Sequence, residues 1–162
     1  MTRPTTNMAV LSPSRKRPRA GDVFTYLMPD GLFRYGRVIR TDAVMGGMPG
    51  CLLVYLFDAT SKDKHLVPVL DKECLLLPPA ATNSLGWSRG YFETVVRAPL
   101  EPEQVLAHHS FRVLGPLEGC TVDEYGREVP AIEGECGTWA LKSYAGLDKL
   151  LSKRLGFAEP RE

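Results

Sequence analysis

Residues 21–40, GDVFTYLMPDGLFRYGRVIR, constrain the fold of this chain more than any other stretch. Residues 23–28 and 32–40 are rich in aromatic and β-branched side chains, which suit a pleated, half-buried surface. Between them lie Pro29, Asp30 and Gly31. Proline pre-sets the φ of a turn, aspartate bonds its own backbone, and glycine accepts a positive φ. The stretch therefore predicts two antiparallel strands joined by a tight turn. Thirteen Pro and fifteen Gly in 162 residues extend this to many short elements with frequent turns, and argue against a helix bundle.

The rest of the chain is read from that hairpin outward. Residues 1–20 hold Pro, Thr, Ser and Arg with few large apolar groups, which predicts a disordered basic tail before one domain over 21–162. Residues 43–50, with GGMPG at their centre, read as a loop; no Gly-Lys-Ser/Thr follows, so they are not a phosphate loop. CLLVYLF (51–57) is a continuous apolar run and predicts a strand covered on both faces. Residues 65–70, 74–77, 90–97, 111–114 and 138–143 read as further short strands, with an irregular link at 83–90 and a helical turn within 103–109. Residues 119–130 form a second hairpin signal around Glu124, Tyr125 and Gly126. Leu147, Leu150, Leu151 and Leu155 recur at i, i+3, i+4 spacing and predict a helix ending at Gly156.

Charge is unevenly placed. The net charge is +1, yet Arg3, Arg15, Lys16, Arg17 and Arg19 give the first twenty residues +5; subtracting this leaves −4 for the rest. A basic footprint for nucleic acid is thus confined to the tail, as SRKRPR (14–19), or to Arg34, Arg37 and Arg40 on a strand whose alternation does not place them in one stripe. Cys51, Cys74, Cys120 and Cys136 show no C-x-x-C spacing and read as reduced thiols of a cytosolic protein; a Cys120–Cys136 bridge is the rival. No secretory leader and no apolar run of membrane-spanning length is visible, so a cytoplasmic location is expected.

A search for chemistry finds no catalytic, cofactor or metal constellation. His65, His108 and His109 lack ligand spacing, and G-x-S-x-G is missing; a dispersed triad, which meets only in space, is the remaining catalytic option. The acidic stretch is more informative. Glu118, Asp123, Glu124, Glu128, Glu133 and Glu135 are opposed only by Arg127, a local charge of −5. It reads either as a solvated hairpin or as a face for a basic partner, since complementary charge selects partners and speeds encounter. Tyr125 at the turn and Trp87 in its loop are the aromatics for such a face; Trp87 reads equally as a cap over the sheet.

The order of these pieces resembles the immunity protein 26 family of bacterial polymorphic toxin systems. The resemblance rests on Gly21, Asp22, Val23, Phe24, Asp30, Gly31, Tyr35, Gly36, Arg37 and Val38, then on LVYLF, the Leu-Leu-Pro-Pro stop, the Trp-to-Gly-Tyr-Phe-Glu segment, VDEYGREVP and ALKSYAGLDKLLSKRLG. The basic stretch before Gly21 falls outside it. The resemblance implies a cytoplasmic antidote that binds the effector domain of a cognate toxin and inhibits it without catalysis. A basic nuclease would suit the acidic face, with Asp123, Glu124, Tyr125, Glu128, Glu133, Glu135 and Trp87 as the contacts. The competing function is a small β-barrel that binds or cleaves nucleic acid, which the acidic body disfavours. The expected fold is α+β: a bent antiparallel sheet or small SH3-like barrel with a C-terminal helix, an all-β sandwich being the alternative.

Overall fold

The Pro29–Asp30 turn forms as its residues predict. Gly31 N–H donates to the Met28 carbonyl at 3.0 Å, and Leu32 N–H donates to Asp30 Oδ1 at 3.1 Å. Arg34 then clamps both Asp30 oxygens from four positions on. The flanking strands are β1 (Val23–Leu27) and β2 (Phe33–Met45), paired from Val23↔Arg37 to Leu27↔Phe33. A computed structural model describes residues 5–115, 121–130 and 135–160.

The loop expected at 43–50 is instead the closing turn of a long ribbon. β2 continues to Met45 and β3 (Met48–Ser61) starts three residues later, with Met45↔Met48 paired. Gly46 and Gly47 have φ of 61° and 82°, the two positive values a type I′ hairpin turn needs. Glycine and proline are depleted in strands, so GGMPG hides the strand ends on either side of it. Several register shifts interrupt the β2–β3 pairing and bend the ribbon.

With β4 (Ala80–Thr82) and β5 (Glu93–Val96), these strands form an antiparallel sheet in the order β4-β3-β2-β1-β5. The sheet does not close into a barrel. Between β4 and β5 lies a short helix, α1 (Leu85–Ser88), where an irregular link was expected. A 3-10 turn at Pro102–Gln104 overlaps only the start of the helical turn expected within 103–109. A second, small sheet has the order β7-β6-β8, from β6 (Phe111–Arg112), β7 (Thr121–Val122) and β8 (Gly137–Thr138). Residues 65–70 and 74–77, expected as strands, are not: the first segment is irregular, and Leu75 makes only a single bridge to Phe57. Finally α2 (Tyr144–Leu155) is capped by the Ser143 hydroxyl, which accepts from Gly146 N–H, and ends at left-handed Gly156.

The apolar run of β3 is buried on both sides, and its period of two divides the core. Leu52, Val54 and Leu56 face a cluster with Phe24, Tyr26, Trp87, Phe92, Tyr144, Leu147 and Leu151. Cys51, Leu53, Tyr55 and Phe57 face another with Ile39, Met45, Phe111 and Val122. The large sheet thus carries α2 on one face and the small sheet on the other. The α+β expectation holds, and the sandwich alternative gives way because a helix covers one face. Gly36 is required by this packing: a Cβ there would lie 2.3 Å from the Phe24 ring.

The disordered tail expected over residues 1–20 does not describe residues 7–14. Asn7 N–H donates to both Asp148 oxygens, and Met8 N–H donates to Oδ1 at 2.8 Å. Asn7 Nδ2 also reaches Ser152 Oγ and the Ala158 carbonyl. Ala9, Leu11 and Ser14 donate their N–H groups to Leu27, Gly90 and Trp87 carbonyls. Met8 is buried in the helix-side cluster. One apolar side chain, one buried carboxylate and these backbone bonds hold down a segment whose composition is otherwise that of a solvated chain. Asp148→Ala leaves the buried Met8 N–H and the part-buried Asn7 N–H without an acceptor and costs about 1–3 kcal/mol. Thermal melting reads the loss, and limited proteolysis then cuts first within residues 5–20.

Candidate partner-binding face

The second hairpin is built by its own side chains. Asp123 N–H donates to the Arg127 carbonyl at 2.8 Å, and Asp123 Oδ1 accepts from Tyr125 N–H and Arg127 N–H at 2.9 and 3.0 Å. Thr121 Oγ1 donates to the Val129 carbonyl. The turn is fastened to β2: Val44 N–H donates to the Glu124 carbonyl, and the Tyr125 hydroxyl donates to Asp42 Oδ1 at 3.1 Å. Burial and the nearby Asp42 carboxylate raise the Tyr125 phenol, so it stays a donor.

The acids of this segment do not form one unscreened patch. Asp123 is bridged by Arg127, whose guanidinium also stands 5.0 Å from the Tyr125 ring centroid. Glu135 is bridged by Arg154, which also donates to the Leu76 carbonyl. Glu128 is exposed and has no ion-pair partner among the described residues. Glu118 and Glu133 lie outside the described residues, as does Cys120 with its proposed bridge to Cys136. The surface that remains is Asp42, Tyr125, Arg127 and Glu128, with Asp123 half-buried behind them.

Two residues named as contacts are placed elsewhere. Trp87 is 1% exposed, in α1, with its ring 4.9 Å from Phe24 and 5.1 Å from Phe92; it is a core side chain. Glu124 points inward and is 8% exposed. Its Oε2 stands 2.9 Å from His109 Nδ1, and His109 Nε2 stands 2.5 Å from the Tyr55 hydroxyl. The Tyr55 oxygen also accepts from Leu106 N–H at 2.9 Å. Nδ1–H donates to the Glu124 carboxylate, and Nε2 shares a hydrogen bond with the Tyr55 hydroxyl. Burial pushes the Tyr55 phenol up to about 12. Burial also pushes the Glu124 carboxyl up, but the His109 hydrogen bond and Glu124's own backbone outweigh it and hold the group below its usual range.

The relay joins β3, the segment before β6 and the second hairpin. Sequence reading missed it because its members are separated by 54 and 15 positions. Its tyrosine is wholly buried. A group whose folded pKa is depressed stabilises the fold above its unfolded pKa and loses that contribution as pH falls. Glu124→Gln is therefore costly at pH 7, and the penalty shrinks toward pH 3, as paired urea titrations read. Asp148, raised by burial, moves the other way: its protonation on acidification favours the fold.

Other sequence candidates resolve simply. Arg34 is taken by Asp30, and Arg37 Nε is buried without a hydrogen-bond partner, so the strand arginines offer no phosphate-binding stripe. No group of three or more His, Cys, Asp or Glu able to hold a metal ion occurs among the described residues. No helix among them is long and apolar enough to cross a membrane.

The family model described as Immunity protein 26 matches residues 19–115. That is more than half of the chain, and the protein belongs to the Immunity protein 26 family. No curated protein and no solved structure matches it. The matched part covers the large sheet, α1 and β6, and stops before the acidic hairpin.

Proposed function

We propose that this protein neutralises a cognate bacterial toxin by binding its effector domain, in the cytoplasm and without catalysis. The observation that carries this reading is membership of the Immunity protein 26 family. The contact surface is the tip of the second hairpin with its neighbour on β2: Asp42, Asp123, Tyr125 and Glu128. Glu124 supports this face from inside through His109. A half-buried tyrosine bonded to Asp42 and covered by Arg127, on a surface whose acids outnumber that one arginine, suits a basic partner such as a nuclease, because aromatic anchors supply binding energy and complementary charge supplies encounter rate. An exposed hairpin held by buried bonds to two other elements is also presented with little ordering cost on binding.

The test is co-expression with the toxin domain encoded beside this gene. Rescue of growth and a stable complex are expected. Asp42→Lys with Glu128→Lys weakens that complex by at least about tenfold, while the variant stays folded with no more than the small loss of melting temperature that the exposed Tyr125–Asp42 hydrogen bond accounts for. A toxin domain that neither binds nor is neutralised sinks the reading. Rescue that ignores the double reversal moves the contact to another face.

A further inference from the structure

β5 ends its sheet, and its outer edge is bare. The inner edge pairs with β1 through Val23↔Val96, Phe24↔Thr94 and Thr25↔Glu93. Among the described residues, no other backbone group bonds to Glu93–Val96. A row of unpaired N–H and C=O groups is a template for a further strand. The N-terminal segment approaches this edge without pairing to it. Leu11 and Ser14 bond to Gly90 and Trp87, beside β5 and not along it. A hollow of about 410 Å³ is left between residues 12–16 and 93–97. A second hollow, about 290 Å³, is bordered by Arg19 and Ala98, and Arg97 lines both.

The rim of these hollows is basic. Lys16 lines the first and Arg19 the second, with Arg17 between them in sequence. All three are exposed, and none is in an ion pair with a described acid. The run is held in place, because Pro18 is buried and Arg19 N–H donates to Asp22 Oδ2 at 2.9 Å. The one acid in the first hollow, Glu93, is already bridged to Lys64 at 2.9 Å.

We propose that the β5 edge is a strand-addition site for an extended acidic segment of a partner protein. The partner's backbone pairs with Glu93–Val96, and its carboxylates meet Lys16, Arg17 and Arg19. Four strand residues span about 13 Å at roughly 3.3 Å each, so a segment of four to seven residues fills the edge. Carboxylates at every second position of such a segment fall on one side, toward the cations. A nucleic acid would use the cations alone. It would leave the strand edge idle, and neither hollow is lined by an aromatic ring on which a base could stack. The site lies on different elements from the second hairpin and does not depend on what that hairpin binds.

The test uses the full chain and a fluorescein-labelled peptide, Glu-Val-Glu-Thr-Glu-Val-Glu, followed by anisotropy at low salt and by hydrogen exchange. The peptide is expected to bind and to slow exchange at those amides of Glu93–Val96 that point away from β1. The same peptide with alternate backbone nitrogens methylated keeps its charge and cannot pair, so it is expected not to bind. Lys16→Glu with Arg17→Glu and Arg19→Glu weakens the parent peptide by at least about tenfold. If that variant fails to fold, the methylated peptide on the native protein decides. Absence of peptide binding, equal binding of the methylated form, or unchanged exchange at β5 overturns the proposal. So does displacement of the peptide by a uridine decanucleotide that binds more tightly, which would assign the cations to nucleic acid.

Discussion

His109→Ala unfolds at lower denaturant than the parent, with a loss of about 3 kcal/mol, the cost of leaving a buried carboxylate and a buried hydroxyl without their partner. The size follows from what the substitution leaves behind. Glu124 loses the hydrogen bond that offsets its burial, and the Tyr55 hydroxyl loses its partner inside the core. Equilibrium urea unfolding of the variant measures the effect. His109→Ala and Glu124→Gln combined should cost much less than the sum of the two, because each already breaks the same contact. Additive losses would mean that the two side chains act separately. The relay also predicts where the damage shows first: hydrogen exchange at Val44 rises, since its N–H is bonded to the Glu124 carbonyl on the turn that the relay anchors.

Trp87→Ala is the second large effect, at about 3–5 kcal/mol for an aromatic side chain removed from a core. Phe24 and Phe92 flank the indole, and Gly86 beside it lies so close to Phe92 that a Cβ would stand 2.4 Å from the ring. Packing on this scale cannot relax to fill the space. Trp87→Phe is milder, because the indole N–H has no hydrogen-bond partner to lose. Thermal unfolding separates this role from that of a surface contact. A contact residue would leave stability unchanged and weaken only the complex.

The parts legible in the sequence are those written locally. The Pro29-Asp30-Gly31 turn, the fully apolar β3 run and the leucine stripe of α2 each carry their signal within a few residues. The parts that were not legible depend on partners far along the chain. Met8 looks like a stray apolar residue until Asp148 is placed beside it. Glu124 and Asp123 are neighbours in the sequence with the same charge. One faces a buried histidine and the other a surface arginine, and nothing local distinguishes them. Trp87 reads as a loop residue because a four-residue helix shows too little of its period to be seen. The same limit applies to the acidic stretch, where counting charges could not show that Arg127, His109 and Arg154 each answer one of them.

The bonds from Asn7 and Met8 to Asp148 span 141 and 140 positions. During synthesis at about 5–20 residues per second, the acceptor appears roughly 7–28 seconds after the donors. Through that interval the sheet face of Phe24, Tyr26, Leu52, Val54 and Leu56 also waits for the helix that will cover it. The earliest residues made are thus among the last to be settled. A chain halted before Tyr144 would lack the Asp148 end of this anchor and keep only the bonds from Ala9, Leu11 and Ser14 to residues already made.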